Sequence, residues 1–241
     1  FERVLYRVRP YEAVPGSANA LYEKWLEIAR KNVKSGSYFE FNHNMKRIIK
    51  EFDTLETIDF GQKPRVGVVG EILVKYAPTA NNDIVAIIEN EGGEAVVPDL
   101  IGFMNYSLFN QIWKADELNM SQKSKRLAKL GIDAINLLEK PMNKALEKSE
   151  RFEGIESIYD IAKGAAKVVS IGNHTGEGWF LTGEMIELLN NGVKNIVCLQ
   201  PFGCLPNHIV GKGMLKELRR QFKGANISPI DYDPGSSEVN Q

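Results

Sequence analysis

Apolar positions along the chain follow two rhythms, and the change comes at Pro64. Before it, Leu21, Trp25, Ile28 and Ala29 recur at helical spacing, and Gly36 offers a stop. Phe41, Met45, Ile48, Ile49 and Phe52 form a second stripe of the same period. Arg9-Pro10-Tyr11-Glu12 and Pro15-Gly16-Ser17 break regular structure ahead of both. Residues 1–60 are therefore expected to be polar and helical after a turn-rich opening. From Pro64 the apolar runs become short, β-branched and bounded by glycine, as buried parallel strands are.

Five such runs are expected to be strands: Val66–Gly70, Ala95–Val97, Val168–Ile171, Asn195–Leu199 and Ile227–Ile230. Amphipathic helices are predicted between them at Asn82–Asn90, Phe180–Asn190 and Met214–Phe222. Such alternation implies a parallel sheet with helices on both faces. The expected fold is α/β, a flavodoxin-like five-stranded parallel sheet in the order 2-1-3-4-5 with an added helical layer. Pro229 places the last strand at an edge or ends it early. Residues 107–165 read as mostly helix, with a stripe at Leu127, Leu130, Ala134, Leu137 and Leu138, and Pro141 is expected to kink or end it. Residues 1–241 are read as one α/β domain. In it, 1–60 and 107–165 embellish a sheet formed by 64–106 and 166–241.

Composition adds exclusions. A net charge of -1 gives no argument for nucleic acid or an anionic membrane as partner. No apolar run approaches the roughly 20 residues of a membrane-spanning helix, and no signal peptide is visible. Two cysteines, Cys198 and Cys204, in a chain with an ample core suggest a reduced, cytoplasmic protein. Opening at Phe1 and closing at Val239-Asn240-Gln241, the sequence reads as a piece of something longer.

Open α/β sheets bind ligands outside the carboxyl ends of their strands. The segments expected there carry Gly70-Glu71-Ile72, Gly172-Asn173-His174-Thr175-Gly176-Glu177-Gly178-Trp179, Gln200 through His208, and Asp231 through Ser237. The glycine-rich 172–179 loop could expose amides to an anion, or be a tight turn needing glycine for steric reasons. It matches neither the P-loop nor the dinucleotide fingerprint. Cys204, in a loop between two prolines, is a candidate for a lowered pKa or for metal ligation, whereas Cys198 reads as a small core residue. His174 and His208 are candidate acids or bases, yet no Gly-x-Ser-x-Gly elbow or triad order accompanies them. Glu71 and Glu177 are candidates to pair across the rim. Trp179 reads as core, His43 as structural, and Lys123-Ser124-Lys125-Arg126 as a solvated helix face.

The segment Gln200-Pro201-Phe202-Gly203-Cys204-Leu205-Pro206-Asn207-His208, with Gly172-Asn173-His174 and Gly176-Glu177-Gly178 before it, resembles the C-terminal region of the large 2-hydroxyacyl-CoA dehydratase activase-related proteins. Arg9-Pro10-Tyr11-Glu12 and Arg65 through Ile72 resemble the same region, so the likeness covers nearly the whole chain. That region is similar to the 2-hydroxyacyl-CoA dehydratase subunits, which have flavodoxin-like domains and bind iron–sulfur clusters through cysteines. Their activators hydrolyse ATP to drive single-electron transfer, and the dehydratase uses the electron to eliminate water by a radical route. The resemblance implies Cys204 as one ligand of a 4Fe–4S cluster in a longer protein, with Glu71, Asn173, His174, Gly176 and Glu177 around the same site. The activator's ATPase region and the other cluster cysteines do not lie within 1–241. Alone, the chain is expected neither to hydrolyse ATP nor to hold a complete cluster. Implied partners are an ATPase and other domains of the same chain and a dehydratase or reductase in anaerobic metabolism. A non-catalytic interaction module and a CoA- or phosphate-binding domain are the alternatives.

Overall fold

The helical rhythm before Pro64 becomes α1 (Glu2–Val8), α2 (Ser17–Ser35) and α3 (Tyr38–Asp53), with a 3-10 turn over Arg9–Tyr11. Gly36 ends α2 in the left-handed conformation at φ 65°, its N–H bonded to the Asn32 carbonyl. Ser37 then caps α3, its hydroxyl accepting from Glu40 N. After it come β1 (Arg65–Gly70), α4 (Ile72–Tyr76), α5 (Ile84–Asn90), β2 (Glu94–Val96), α6 (Leu100–Glu117) and α7 (Gln122–Leu146). The rest is α8 (Ile158–Ala165), α9 (Gly178–Asn190), β3 (Asn195–Pro201), α10 (Leu205–Val210), α11 (Leu215–Gln221) and β4 (Asn226–Tyr232). This computed structural model describes residues 1–59 and 61–232. The chain divides into two compact units: Phe1–Lys63 with Asp133–Ile155, and Pro64–Ile132 with Glu156 onward.

The first unit is helical. Trp25 and Phe52, both fully buried, pack with Val8, Ile48, Ile49, Leu146 and Phe152. Arg151 reaches the last turn of α3 at the Phe52 carbonyl, 3.4 Å away, and ties the segment after it, donating to the Leu55 carbonyl at 2.9 Å and to Thr57 Oγ1 at 3.2 Å.

The second unit is a parallel α/β sheet of four strands in the order β2-β1-β3-β4. Side chains alternate between its faces. Val69, Ile196, Cys198 and Ile227 pack under α6, α8, α9 and α11. Val68, Leu199, Ala95 and Tyr232 pack with Val74, Ile84 and Ile88 of α4 and α5. Burial on both faces explains the apolar, β-branched runs. β4 lies at the sheet edge and continues through Pro229, opposite Cys198, because an edge strand tolerates a residue without an N–H.

One expectation needs correction. Val168–Ile171 is not a strand. β1 pairs directly with β3, from Val66↔Asn195 to Gly70↔Leu199, which leaves no place between them. The backbone N–H groups of Val168 and Val169 bond the Ala165 carbonyl at the end of α8, and Val169 still reaches the core. A short apolar run satisfies burial without pairing, so periodicity alone misassigns it. Among the described residues the sheet accordingly has four strands, not five. Of the two outcomes expected at Pro141, a kink or an end, the helix does not end there: α7 runs on to Leu146. The helical acceptor it leaves unfilled is the carbonyl of Leu137, a residue 64% exposed. The α7 stripe faces outward, with Leu127, Leu130, Leu137 and Leu138 exposed, while Ala128, Ile132 and Leu146 make the buried contacts.

Candidate functional site at the carboxyl ends of the strands

Because β1 and β3 are parallel, their carboxyl ends open on the same side of the sheet. Gly70 makes the first turn possible. Its φ is 145°, and a Cβ there would lie 1.9 Å from the Leu199 carbonyl oxygen. That close approach lets Glu71 N donate to the same oxygen at 2.9 Å. Glu71 then caps α4, its side chain accepting from Val74 N at 2.9 Å.

Glu177, at the start of α9, crosses to this turn. It is 8% exposed, and its Oε1 accepts from Ile72 N at 3.2 Å. Asn207 of α10 is fully buried and completes the cluster. Oriented by its partners, its Nδ2 donates to Glu177 Oε2 at 2.8 Å and its Oδ1 accepts from Glu71 N at 3.1 Å. Burial pushes the Glu177 carboxyl above its ordinary pKa, and the neighbouring Glu71 adds to this; the Ile72 N–H and the Lys75 ammonium oppose it. Gly176 brings the same loop against α10, since a Cβ there would lie 3.2 Å from Pro206.

Cys204 precedes α10 and is half-buried. Its N–H donates to the Pro201 carbonyl at 3.2 Å. Its own carbonyl accepts from His208 N at 3.0 Å, and His208 Nδ1 lies 2.9 Å from it. Phe202 and Leu205 beside it are 75% and 69% exposed. Cys198 is the opposite case: buried in β3, with burial pushing its thiol up to about 12.

Of the residues singled out in the sequence, Glu71, Gly176 and Glu177 thus meet the turn that carries Cys204. Asn173 and His174 are directed elsewhere. The Asn173 side chain bonds the Ser170 carbonyl at 3.0 Å, and its own carbonyl accepts from Trp179 N at 2.7 Å. The His174 ring packs on Trp113 of α6, with centroids 5.3 Å apart. Burial, then Lys114, lowers its pKa, so the ring is neutral near pH 7. The expected 231–237 loop lies outside the described residues beyond Tyr232. Within it, Asp231 accepts from Gln200 and from Lys212, each at 2.6 Å.

Lys75 and Glu184 were not legible beforehand. They form an ion pair at 2.7 Å with both side chains 3% exposed. Asn207 lay inside the quoted motif, but no spacing rule marked it as the link between two loops. In the helical unit, Arg7, Tyr11, Asp59, Gln62 and Arg151 help line a cavity of about 360 Å³ that no pattern in the sequence announced.

Chemically, the rim offers one partly exposed cysteine and an acidic, hydrogen-bonded cluster. An anion would find the Ile72 and Val74 amides already filled by Glu177 and Glu71. Among the described residues, no group of three or more His, Cys, Asp or Glu side chains is placed to hold a metal ion. No described helix is long and apolar enough to cross a membrane. No family model, curated protein or solved structure matches the chain.

Proposed function

We propose that the parallel-sheet unit is a redox accessory module for 2-hydroxyacyl-CoA dehydration, in which Cys204 supplies one thiolate of a shared 4Fe–4S cluster. The observation that carries this reading is the placement of the Cys204 thiol. Cys204 is partly exposed at the carboxyl end of β3, on a turn tied by backbone bonds and flanked by exposed apolar side chains. Parallel sheets present ligand-binding groups at that end, and flavodoxin-like domains with one strand more do so too.

A cluster of this type takes four thiolates, and among the described residues Cys204 is the one cysteine outside the core. Cys204 fits as a single ligand. The remaining ligands, and the ATPase that would drive reduction, come on this reading from other segments or from a dehydratase or reductase subunit in the cytoplasm. Exposed Phe202, Leu205 and Ile209 suit a surface completed by such a neighbour. The same side chains favour a second reading, a docking module with no chemistry of its own. Anaerobic reconstitution of the longer chain with iron and sulfide separates the two. The first requires visible cluster absorption that Cys204→Ala diminishes; the second leaves partner binding unchanged in that variant.

A further inference from the structure

We infer that Glu177 and Asn207 form a clamp that fixes the Cys204-bearing turn against the β1–α4 turn and opens when the Asn207 amide turns over. The inference deepens the reading of Cys204 given above and rests on it for its functional meaning, though the clamp itself is defined by geometry alone.

Three segments far apart in sequence meet through two side chains. Glu177 Oε1 takes the Ile72 N–H and Oε2 takes the Asn207 amide. Asn207 Oδ1 takes the Glu71 N–H, which also bonds the Leu199 carbonyl. Asn207 sits in the first turn of the helix that Cys204 opens, and its carbonyl holds Gly211 N at 2.9 Å. Fixing Asn207 therefore fixes the whole Cys204 turn.

The polarity of the clamp is set by Glu177. As a carboxylate it is acceptor only, so the Asn207 amide must present Nδ2 to it. With a proton on Oε2 the carboxyl becomes a donor, and Asn207 answers by presenting Oδ1. Its Nδ2 then faces the Glu71 N–H, donor against donor at 3.1 Å, and the two turns separate. The charged and titratable groups facing Glu177 are Glu71 and Lys75 from the α4 side, Glu184 from α9, the Tyr106 phenol from α6 and the Cys198 thiol from β3. Glu177→Gln carries the same donor permanently and so copies the protonated form.

Hydrogen exchange on the full chain at one fixed pH tests this. The amides of 202–211 in Glu177→Gln are expected to exchange about tenfold faster than in the parent or more, with those of α2 and α3 unchanged. Asn207→Ala should give the same local acceleration, and the double variant no more than either single one. Should Glu177→Gln not fold, Asn207→Ala carries the test alone. Parental exchange at 202–211 in the folded variant, or additive effects in the double one, overturns the clamp. No arm depends on iron, so a cluster that assembles without Cys204 removes the functional reading and leaves the clamp standing.

Discussion

Lys75 Nζ lies 2.7 Å from Glu184 Oε1 in the interior of the sheet unit, where the pair joins α4 to α9. Lys75 also lies over the Tyr76 ring, 4.8 Å from its centroid. Burial pushes the Glu184 carboxyl up while the Lys75 ammonium opposes it. Removing one partner leaves the other charge buried and uncompensated. Lys75→Met or Glu184→Leu alone should therefore cost about 3–5 kcal/mol. The double substitution should cost less than either, because it leaves no orphaned charge. Urea denaturation of the three variants checks the order; strictly additive losses would show that the pair is not coupled.

Stability should depend on pH through Glu177. Burial raises its folded pKa above the ordinary 4.5, so ionising it costs the folded state stability: the cost is absent below that value and grows as pH rises through the folded pKa, and the hydrogen bonds of the closed clamp offset only part of it. Glu177→Gln cannot titrate there. The stability of this variant minus that of the parent should climb with pH from about 4.5 and level off above the folded pKa. Denaturation curves across that range measure the difference, and a constant value would contradict the assignment.

Gly178 opens α9 at φ 49°, and a Cβ there would meet both the Asn173 carbonyl oxygen and the Tyr106 hydroxyl at 2.3 Å. Backbone and a packed phenol cannot move aside cheaply. Gly178→Ala should lower stability by about 2 kcal/mol or more, combining left-handed strain of about 1–2 kcal/mol with the clash. Thermal unfolding reads the loss, and an unchanged melting temperature would show that this turn is looser than described.

Only one of the two cysteines should react in the folded chain. The Cys198 thiol, buried and pushed up to about 12, is protonated and shielded, whereas Cys204 is half-exposed. A colorimetric thiol count should give about one equivalent in buffer and about two in denaturant. Rapid reaction of Cys198 in Cys204→Ala would mean that β3 is not covered.

The sequence made four of the strands legible because the central β1 and β3 are buried on both faces and carry β-branched runs, while the edge strands β2 and β4 show shorter apolar runs with turn residues around them. Val168–Ile171 carries the same composition for another reason, since it plugs the core at the end of α8, and composition cannot tell the two apart. Trp25, Ile48 and Phe52 gave the N-terminal helices by period alone. On α7 the period was visible but not its direction, because Leu127 and Leu137 are as apolar as the buried Ile132 and lie on the opposite side. Glu71, Glu177 and Cys204 were found as neighbours of glycine in turns expected at one rim. Asn207 and the Lys75–Glu184 pair stayed hidden because their meaning lies in contacts between segments about 30 to 130 residues apart, which no local pattern encodes.

The central claim is most directly tested by anaerobic reconstitution of the longer chain with iron and sulfide, read as cluster absorption per protein for the parent and for Cys204→Ala. The account predicts that the parent acquires the visible band of a 4Fe–4S centre and that the variant loses most of it while keeping the parental circular dichroism. Equal absorption in the folded variant would contradict the assignment of Cys204 as a ligand, and with it the redox role of this rim.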